Sequence, residues 1–254
     1  MGNTSSDSSR PVRHSSGLPG FGLFIAIGMI VSTIIAARAY ERVRCENRII
    51  SVKGYAEKRI TSDLATWTGR FEARDAALVP AYNIMSTDLR AVLAWLEQNG
   101  VTRDDVGVSS IGTSLQYKKN AKGEDTNDIE RYVFAQSVSV SSTDVALVTK
   151  IAAESTALIK EGIEFSSDSP DYFYTKLDSL KIEMLGQAAK DSRARAEQLI
   201  AGSGSVIGPL RSAEQGIFQI TPPYSTETSG GGVNDTSSID KVIKAVVNID
   251  YTLK

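Results

Sequence analysis

The stretch ISVKGYAEKRITSDLATWTGRFEA, residues 50–73, decides the fold, because apolar and polar side chains alternate along it with a period of two. In its first half, one set of alternate positions carries mainly small or apolar residues: Ile50, Val52, Gly54, Ala56, Lys58 and Ile60. After a turn at residues 61–63, one face of the second half carries Ala65, Trp67, Gly69, Phe71 and Ala73. The pattern predicts two neighbouring strands of a sheet with one buried face and one wet face.

Helical spacing replaces the alternation directly after these strands. Apolar residues three and four positions apart predict a helix with Pro80 in its first turn and Gly100 just beyond its end: Leu78, Tyr82, Met85, Leu89, Leu93 and Leu96. A strand over 106–117, with a bulge near Gly112, is expected next. The polar segment 118–128 then reads as a hairpin loop that leads into a strand over 132–140.

A second helix is predicted to begin at the N-cap candidates Ser141, Ser142 and Thr143. Its inward residues are expected to be Val148, Ile151, Ser155 and Leu158, and a short strand over 162–165 follows. The order from residue 62 to 167 is thus strand, helix, strand, strand, helix, strand. This is the ferredoxin-like βαββαβ order of an α+β fold.

The C-terminal part is predicted to add one long helix and two further strands. The turn 168–170 leads into the helix, residues 172–200, whose inward stripe is expected to be Ile182, Leu185, Ala189, Ser192, Ala196 and Leu199. The two strands run from Pro209 to Ile220 and over 243–253. Between them, segment 221–238 is so polar and glycine-rich that we expect a mobile hairpin tip. Deletion of residues 224–234 within it is expected to change stability little.

The N-terminal end carries an uncharged, mainly apolar run at residues 18–37, long enough to form a helix that crosses a membrane. We therefore expect a disordered tail at 1–17, a transmembrane signal anchor at 18–37, a linker at 38–47 and one folded domain at 48–254. A cleavable signal peptide is the alternative, since Ala37-Arg38-Ala39 has the small-x-small form of a cleavage site. The arginines on both sides of the run leave the topology open.

Composition excludes several classes of function for the folded domain. The chain has 28 basic and 30 acidic residues in mixed order, which argues against a nucleic-acid binder with its basic face. The single histidine, His14, precedes the apolar run, so a histidine-based triad and a histidine-ligated metal are not expected. The single cysteine, Cys45, is either an unpaired thiol near the membrane or a disulfide partner between subunits.

The remaining candidate motifs favour structural roles. The glycine-rich spots 202–204 and 230–232 lack the lysine and hydroxyl residue of a phosphate loop, so a helix end and a flexible loop are predicted. The carboxylates at 104–105 and 124–128 lack the spacing of a calcium loop. The residues Arg70, Glu72 and Arg74 on the wet face of a strand are expected to pair across strands, and both Trp67 and Trp95 to lie in the core. We therefore predict no catalytic, cofactor or metal site.

Three stretches together resemble the SIMPL domain family, formerly a domain of unknown function. The first is SVKGYAEKRITSDLATW, with Val52, Gly54, Ala56, Glu57, Asp63 and Ala65 at the family's motif positions. The second is YVFAQSVSVSSTDVALVTKI, similar to an aromatic strand that leads into a helix. The third, residues 163–210, is similar to the family's Ser-Asp turn, alanine-rich long helix and glycine-containing exit. The resemblance covers about residues 48–254.

The resemblance implies a bacterial envelope protein with its domain in the periplasm. Family members form large oligomers, and some are linked to oxidative-stress tolerance. We therefore expect a non-enzymatic protein of the inner membrane, anchored through residues 18–37, whose domain forms homo-oligomers and needs no cofactor. Two alternatives stay open: a binding module for a small ligand or an envelope protein, and a hydrolase that uses only carboxylates and lysines.

Overall fold

The structure, a computed structural model, describes residues 18–46 and 48–254. The predicted disordered tail, residues 1–17, and His14 within it lie outside the described residues. Four α-helices are present in the described part: α1 (Leu18–Glu46), α2 (Leu78–Gln98), α3 (Val145–Glu154) and α4 (Leu177–Ile200). The strands are β1 (Ile49–Thr61), β2 (Leu64–Asp75), β3 (Val106–Val108), β4 (Gly112–Lys119), β5 (Asp125–Ser142), β6 (Glu164–Ser167), β7 (Asp171–Phe173), β8 (Ile207–Gln215), β9 (Gln219–Thr221), β10 (Val233–Asn234) and β11 (Asp240–Leu253).

Helix α1 includes the segment that was predicted as a linker. Residues 38–46 contain no glycine or proline, so nothing in the sequence ends the helix after the apolar run. From Phe24 to Glu41 every side chain is exposed, and this part is long and apolar enough to cross a membrane. A signal sequence has the same properties, so α1 is long and apolar enough to be either.

The first sheet contains the six strands from β2 to β7. Its order is β3-β5-β2-β6, with β4 on β5 and β7 on β2, and neighbouring strands are antiparallel. Helices α2 and α3 both pack on β2 and β5. The predicted inward face of β2 is buried as expected, and Trp67 and Phe71 are its largest buried side chains.

The buried face of α2 differs from the predicted one. Ala81, Met85, Val92 and Leu96 are buried, whereas Leu78 and Tyr82 are about half exposed. The small Ala81 lets the helix approach the sheet, and the Tyr82 ring is left at the margin, edge-on to Phe134 at 6.3 Å. Gly100 follows the helix with a φ of 92°, as predicted for its C-terminal stop.

Two predictions about the middle strands are wrong in their boundaries. The strand predicted over 106–117 is two strands, because Ser109 interrupts it. Its hydroxyl accepts the Ser137 N–H, and its carbonyl accepts the side-chain amide of Gln136. The predicted 118–128 loop is only a turn over 120–124, because the Asn120 side chain accepts the N–H groups of Lys122 and Glu124. Strand β5 therefore starts at Asp125.

Helix α3 is capped by a residue other than those predicted. Its N-cap is Asp144, whose carboxylate accepts the Leu147 N–H at 2.9 Å, whereas Ser141 and Ser142 still belong to β5. The four predicted inward residues are confirmed as fully buried: Val148, Ile151, Ser155 and Leu158. The last two lie in a 3-10 turn, Ser155–Glu161, that continues α3.

The second sheet has the order β1-β11-β9-β10, with β8 also on β11. Strands β9 and β10 are parallel, and β9 and β11 are antiparallel. The alternation predicted for β11 is confirmed from Ile243 to Tyr251, and that of β1 at Val52, Gly54, Ala56 and Ile60. Lys58, predicted on the inward face, is exposed and bonds to Glu183 of α4 at 2.9 Å.

The C-terminal part contains more strands than predicted. Four strands follow α4 in the described chain instead of two, because the predicted 209–220 strand breaks at Gly216 and β10 forms within the polar segment. Residues 171–173 form β7, so α4 begins at Leu177 and the 168–170 turn leads into a strand. The buried residues of α4 are Leu180, Met184, Ala188, Ser192 and Ala196; Ile182 and Leu199 of the predicted stripe are exposed.

The chain divides into two compact units. The larger comprises residues 53–195 and 214–248 and holds the first sheet with its helices. The smaller comprises the described residues up to Val52, residues 196–213 and residues 249–254. Within the smaller unit, Asp250 accepts hydrogen bonds from Ser212 and Ser51, each at 2.6 Å, and these bonds lower the pKa of its carboxyl group.

Candidate functional site

An open cleft of about 490 Å³ lies between the first turns of α4 and the segment around β9. Leu177 and Lys181 of α4 form one wall. The opposite walls are formed by Gln215, Gly216, Ile217, Phe218, Ile220 and residues 231–234. Most of these side chains are apolar, which is typical of a site for a small ligand with an apolar body.

One side chain holds the glycine-rich wall in place. The Gln219 amide donates to the Ser229 carbonyl at 2.9 Å and accepts the Val233 N–H at 2.9 Å. Gly232 passes close to this segment with a φ of 90°, and a Cβ there would lie 2.9 Å from Ile217 Cγ2. Only glycine fits this position without strain. The loop at 230–232, predicted to be flexible, is therefore held in place as part of the cleft wall.

Lys181 is the charged side chain of the cleft. Its ammonium group lies 6.0 Å from the centre of the Phe218 ring, within the range of a cation–π contact. A ligand that carries an anion beside an apolar body would find both features in this wall.

A buried ion pair borders a second cavity of about 40 Å³ that shares Leu177, Ile220 and Asn234 with the cleft. Lys241 donates to Asp235 at 3.3 Å, and their side chains are 2% and 6% exposed. Burial alone would raise the pKa of Asp235, but hydrogen bonds from Ser237 and Ser238 and the charge of Lys241 lower it overall. Asp235 is therefore held in its charged form. It supplies the counter-charge that the buried ammonium group of Lys241 needs.

Residues of the first and third sequence stretches make hydrogen bonds that stabilise the fold. The carboxylate of Asp63 accepts the Thr175 N–H at 2.7 Å and its hydroxyl at 2.9 Å, which fixes the chain ahead of α4. Trp67 donates to Ser167 at 2.9 Å, and Arg70 donates to Asp168 at 3.1 Å. The Ser-Asp turn of the third motif is thus bonded to β2.

The remaining candidates have local partners. Arg74 bonds across strands to Glu164 of β6, as expected, whereas its ion pair with Glu72 lies within β2. Asp105 accepts from the Thr102 hydroxyl in a short 3-10 turn, and no cluster of three metal-ligating side chains occurs in the part of the chain that the structure describes. Trp67 is buried and Trp95 packs half-buried against the core. The side chain of Cys45 lies outside the described residues.

Comparison with protein families identifies one match, which spans residues 50–251 and carries the description SIMPL, a protein of unknown function (DUF541). The chain belongs to the SIMPL family. The match includes both sheets and α2 to α4, and it leaves α1 outside. No curated protein matches the chain. The family resemblance of the three sequence stretches is thereby confirmed.

Proposed function

We propose that this SIMPL protein is a non-enzymatic, membrane-anchored envelope protein whose domain self-assembles in the periplasm. In this proposal α1 is a single-pass anchor in the inner membrane of a bacterium, and residues 48–254 are the assembling domain. The exposed apolar surface of α1 supports the anchor. A contribution to oxidative-stress tolerance is part of the proposal on the strength of the family resemblance.

The ribbon formed by β4 and the first half of β5 is the observation that carries self-assembly. All eight residues of β4 are exposed, including Leu115 at 41% and Tyr117 at 37%. Ile129, which pairs with Tyr117 across the ribbon, is 39% exposed. A two-stranded ribbon with apolar side chains in water is marginally stable by itself, so a partner that covers it would stabilise it.

We also propose that the strand order β3-β5-β2-β6 corresponds to the ferredoxin-like order. The first and third strands of the βαββαβ unit, β2 and β5, lie in the centre of this sheet, and neighbouring strands are antiparallel. A sheet with this order has an open edge at its outer strand. The β4–β5 ribbon extends the sheet at that edge.

Self-assembly is tested by charging the ribbon. We expect Leu115→Asp combined with Tyr117→Asp to lower the molar mass of the full chain in detergent, measured by light scattering. Ile182→Asp is the matched control, since Ile182 is 73% exposed on α4 and its replacement should leave the mass unchanged. An unchanged mass in the ribbon variant would exclude the ribbon as the contact.

Topology is tested by fusing alkaline phosphatase after Lys254. The proposal predicts an active fusion in a bacterial host, because this enzyme requires the oxidising periplasm for its disulfides. An inactive phosphatase fusion together with a fluorescent cytoplasmic reporter at the same position would place the domain in the cytoplasm.

A second candidate function is the binding of a small ligand, and the cleft beside Lys181 favours it. Saturation-transfer NMR with 3-phenylpropionate, an apolar body with a carboxylate, tests it on the full chain in nanodiscs. We expect Ile217→Trp to reduce the transfer by filling the cleft, whereas Ile182→Trp should not. Equal signals from both variants and the unaltered chain would mean that the probe does not bind in the cleft.

A further inference from the structure

The outer edge of β4 lacks a strand partner among the described residues. β4 pairs only with β5 there, and the register shifts of this pair insert the extra residues into β5. Between Gln116 and Tyr117 the partner advances from Arg131 to Ile129, so Glu130 is the residue that bulges. β4 itself stays regular from Gly112 to Lys119, and its free N–H and C=O groups form a continuous row that another strand can use.

The side chains of β4 are sorted between its two faces. Thr113, Leu115 and Tyr117 lie on one face, together with Phe134 and Tyr132 opposite them on β5. Ser114, Gln116 and Lys118 lie on the other face. A strand that pairs with β4 must therefore place its own apolar residues on the first face.

We infer that β4 pairs antiparallel with β4 of a second copy, around a two-fold axis at Gln116. This inference rests on the proposed self-association and specifies its contact. In this register Leu115 of each copy lies opposite Tyr117 of the other, and the two Gln116 side chains face each other. Lys118 lies opposite Ser114, and Lys119 opposite Thr113. An isologous contact of this kind is the commonest in symmetric oligomers.

Three other registers are less favourable for identifiable reasons. An axis at Lys118 would place like charges directly opposite each other. An axis between Leu115 and Gln116 would put the apolar face of one strand beside the polar face of the other, since a shift of one residue reverses the faces. An axis at Leu115 would leave Tyr117 opposite Thr113 instead of a large apolar residue.

Single cysteines test the register directly. In the full chain with Cys45→Ser, Gln116→Cys should form a disulfide-linked dimer under mild oxidation, because residues opposite each other have Cα atoms about 4.5–5.5 Å apart. Ser114→Cys is the matched control on the same face. Its two copies would be offset by four residues, roughly 13 Å along the strand, so at least about tenfold less dimer is expected.

The double variant Ser114→Cys with Lys118→Cys should restore cross-linking, because these two positions lie opposite each other between copies. Comparable dimer yields from Gln116→Cys and Ser114→Cys would overturn the register. Failure of both Gln116→Cys and the double variant to cross-link, in a chain that light scattering shows to be oligomeric, would overturn the β4 contact and leave self-association standing. A monomeric chain would overturn both.

Discussion

Gly54 illustrates, at the scale of single residues, why the family motif has its composition. A Cβ at this position would lie 2.0 Å from the Ala188 carbonyl oxygen and 2.7 Å from Ser192 Cβ. Ala188 and Ser192 belong to the buried face of α4, so the glycine lets helix and strand approach each other. In the same motif, Asp63 fixes the chain ahead of α4 through its bond to Thr175, and Ala65 is buried in the core of the first sheet. The motif thus maintains packing.

We predict that Gly54→Ala destabilises the fold by about 1–3 kcal/mol, because α4 must move away from β1. Gly186→Ala is the matched control: Gly186 lies in α4 with no atom within 4 Å of its missing Cβ, so the substitution should stabilise the helix by about 0.5–1 kcal/mol. Thermal unfolding by circular dichroism distinguishes the two. Equal melting temperatures for Gly54→Ala and the unaltered chain would show that the close approach does not occur.

The buried pair of Asp235 and Lys241 gives a second prediction. Asp235→Asn should cost about 3–5 kcal/mol, because it leaves the Lys241 charge buried without a counter-charge. Adding Lys241→Met should recover most of this loss. If Asp235→Asn melts like the unaltered chain, the pair is solvated.

The same pair predicts a dependence on pH. Since the pKa of Asp235 is lowered in the folded state, its contribution to stability is present above the ordinary carboxyl pKa of about 3.9 and is lost as the pH falls through the lower folded value. The difference between Asp235→Asn and the unaltered chain should therefore shrink below about pH 4. A constant difference down to pH 2 would show that Asp235 is not the titrating group.

At the scale of elements, alternation proved a better guide than helical spacing. β1, β2 and β11 were predictable because a period of two assigns each residue to one face. The face of α2 was predicted from its largest apolar residues, but this helix approaches its sheet through Ala81. In α4 the predicted Ser192 and Ala196 are buried, whereas Ile182 and Leu199 are exposed and Ala188 was not predicted. Small residues allow the closest approach between a helix and a sheet. Because they are only weakly hydrophobic, the hydrophobic pattern of the sequence does not reveal that they form the buried face.

The cleft could not be predicted because its walls come from three separate segments around residues 181, 217 and 232. The sequence signal for the cleft is the polar Gln219 between the apolar residues Phe218 and Ile220. Its amide bonds to the loop instead of to water. Arg59 over the Tyr224 ring at 5.2 Å and Lys244 on the Ser225 carbonyl at 2.6 Å hold the same loop. The expectation of a tip too polar to pack is therefore wrong.

The structure reverses the expected effect of loop changes. Gln219→Ala removes the bonds to Ser229 and Val233 and should cost about 1–2 kcal/mol, and deletion of residues 224–234 should cost more because β10 is lost. Thr228→Ala, at an exposed position of the same loop, should change little. Melting curves of the three variants provide the measurement. An unchanged melting temperature after the deletion would restore the expectation of a free tip.

At the scale of the whole molecule, membership of the SIMPL family and an exposed apolar helix ahead of the family match are the established features. The proposal connects them: α1 holds the chain in the membrane, and the uncovered β4–β5 ribbon associates with other copies. Anchoring confines the copies to two dimensions, which raises their effective concentration and favours association through a modest interface.

The most direct test is the molar mass of the full chain, extracted in a mild detergent and measured by light scattering with the detergent contribution subtracted. Self-assembly predicts a mass of at least two 27.3 kDa protomers when the chain is concentrated, and a modest interface predicts that this mass falls on dilution. A mass of one protomer at every concentration would contradict the central claim.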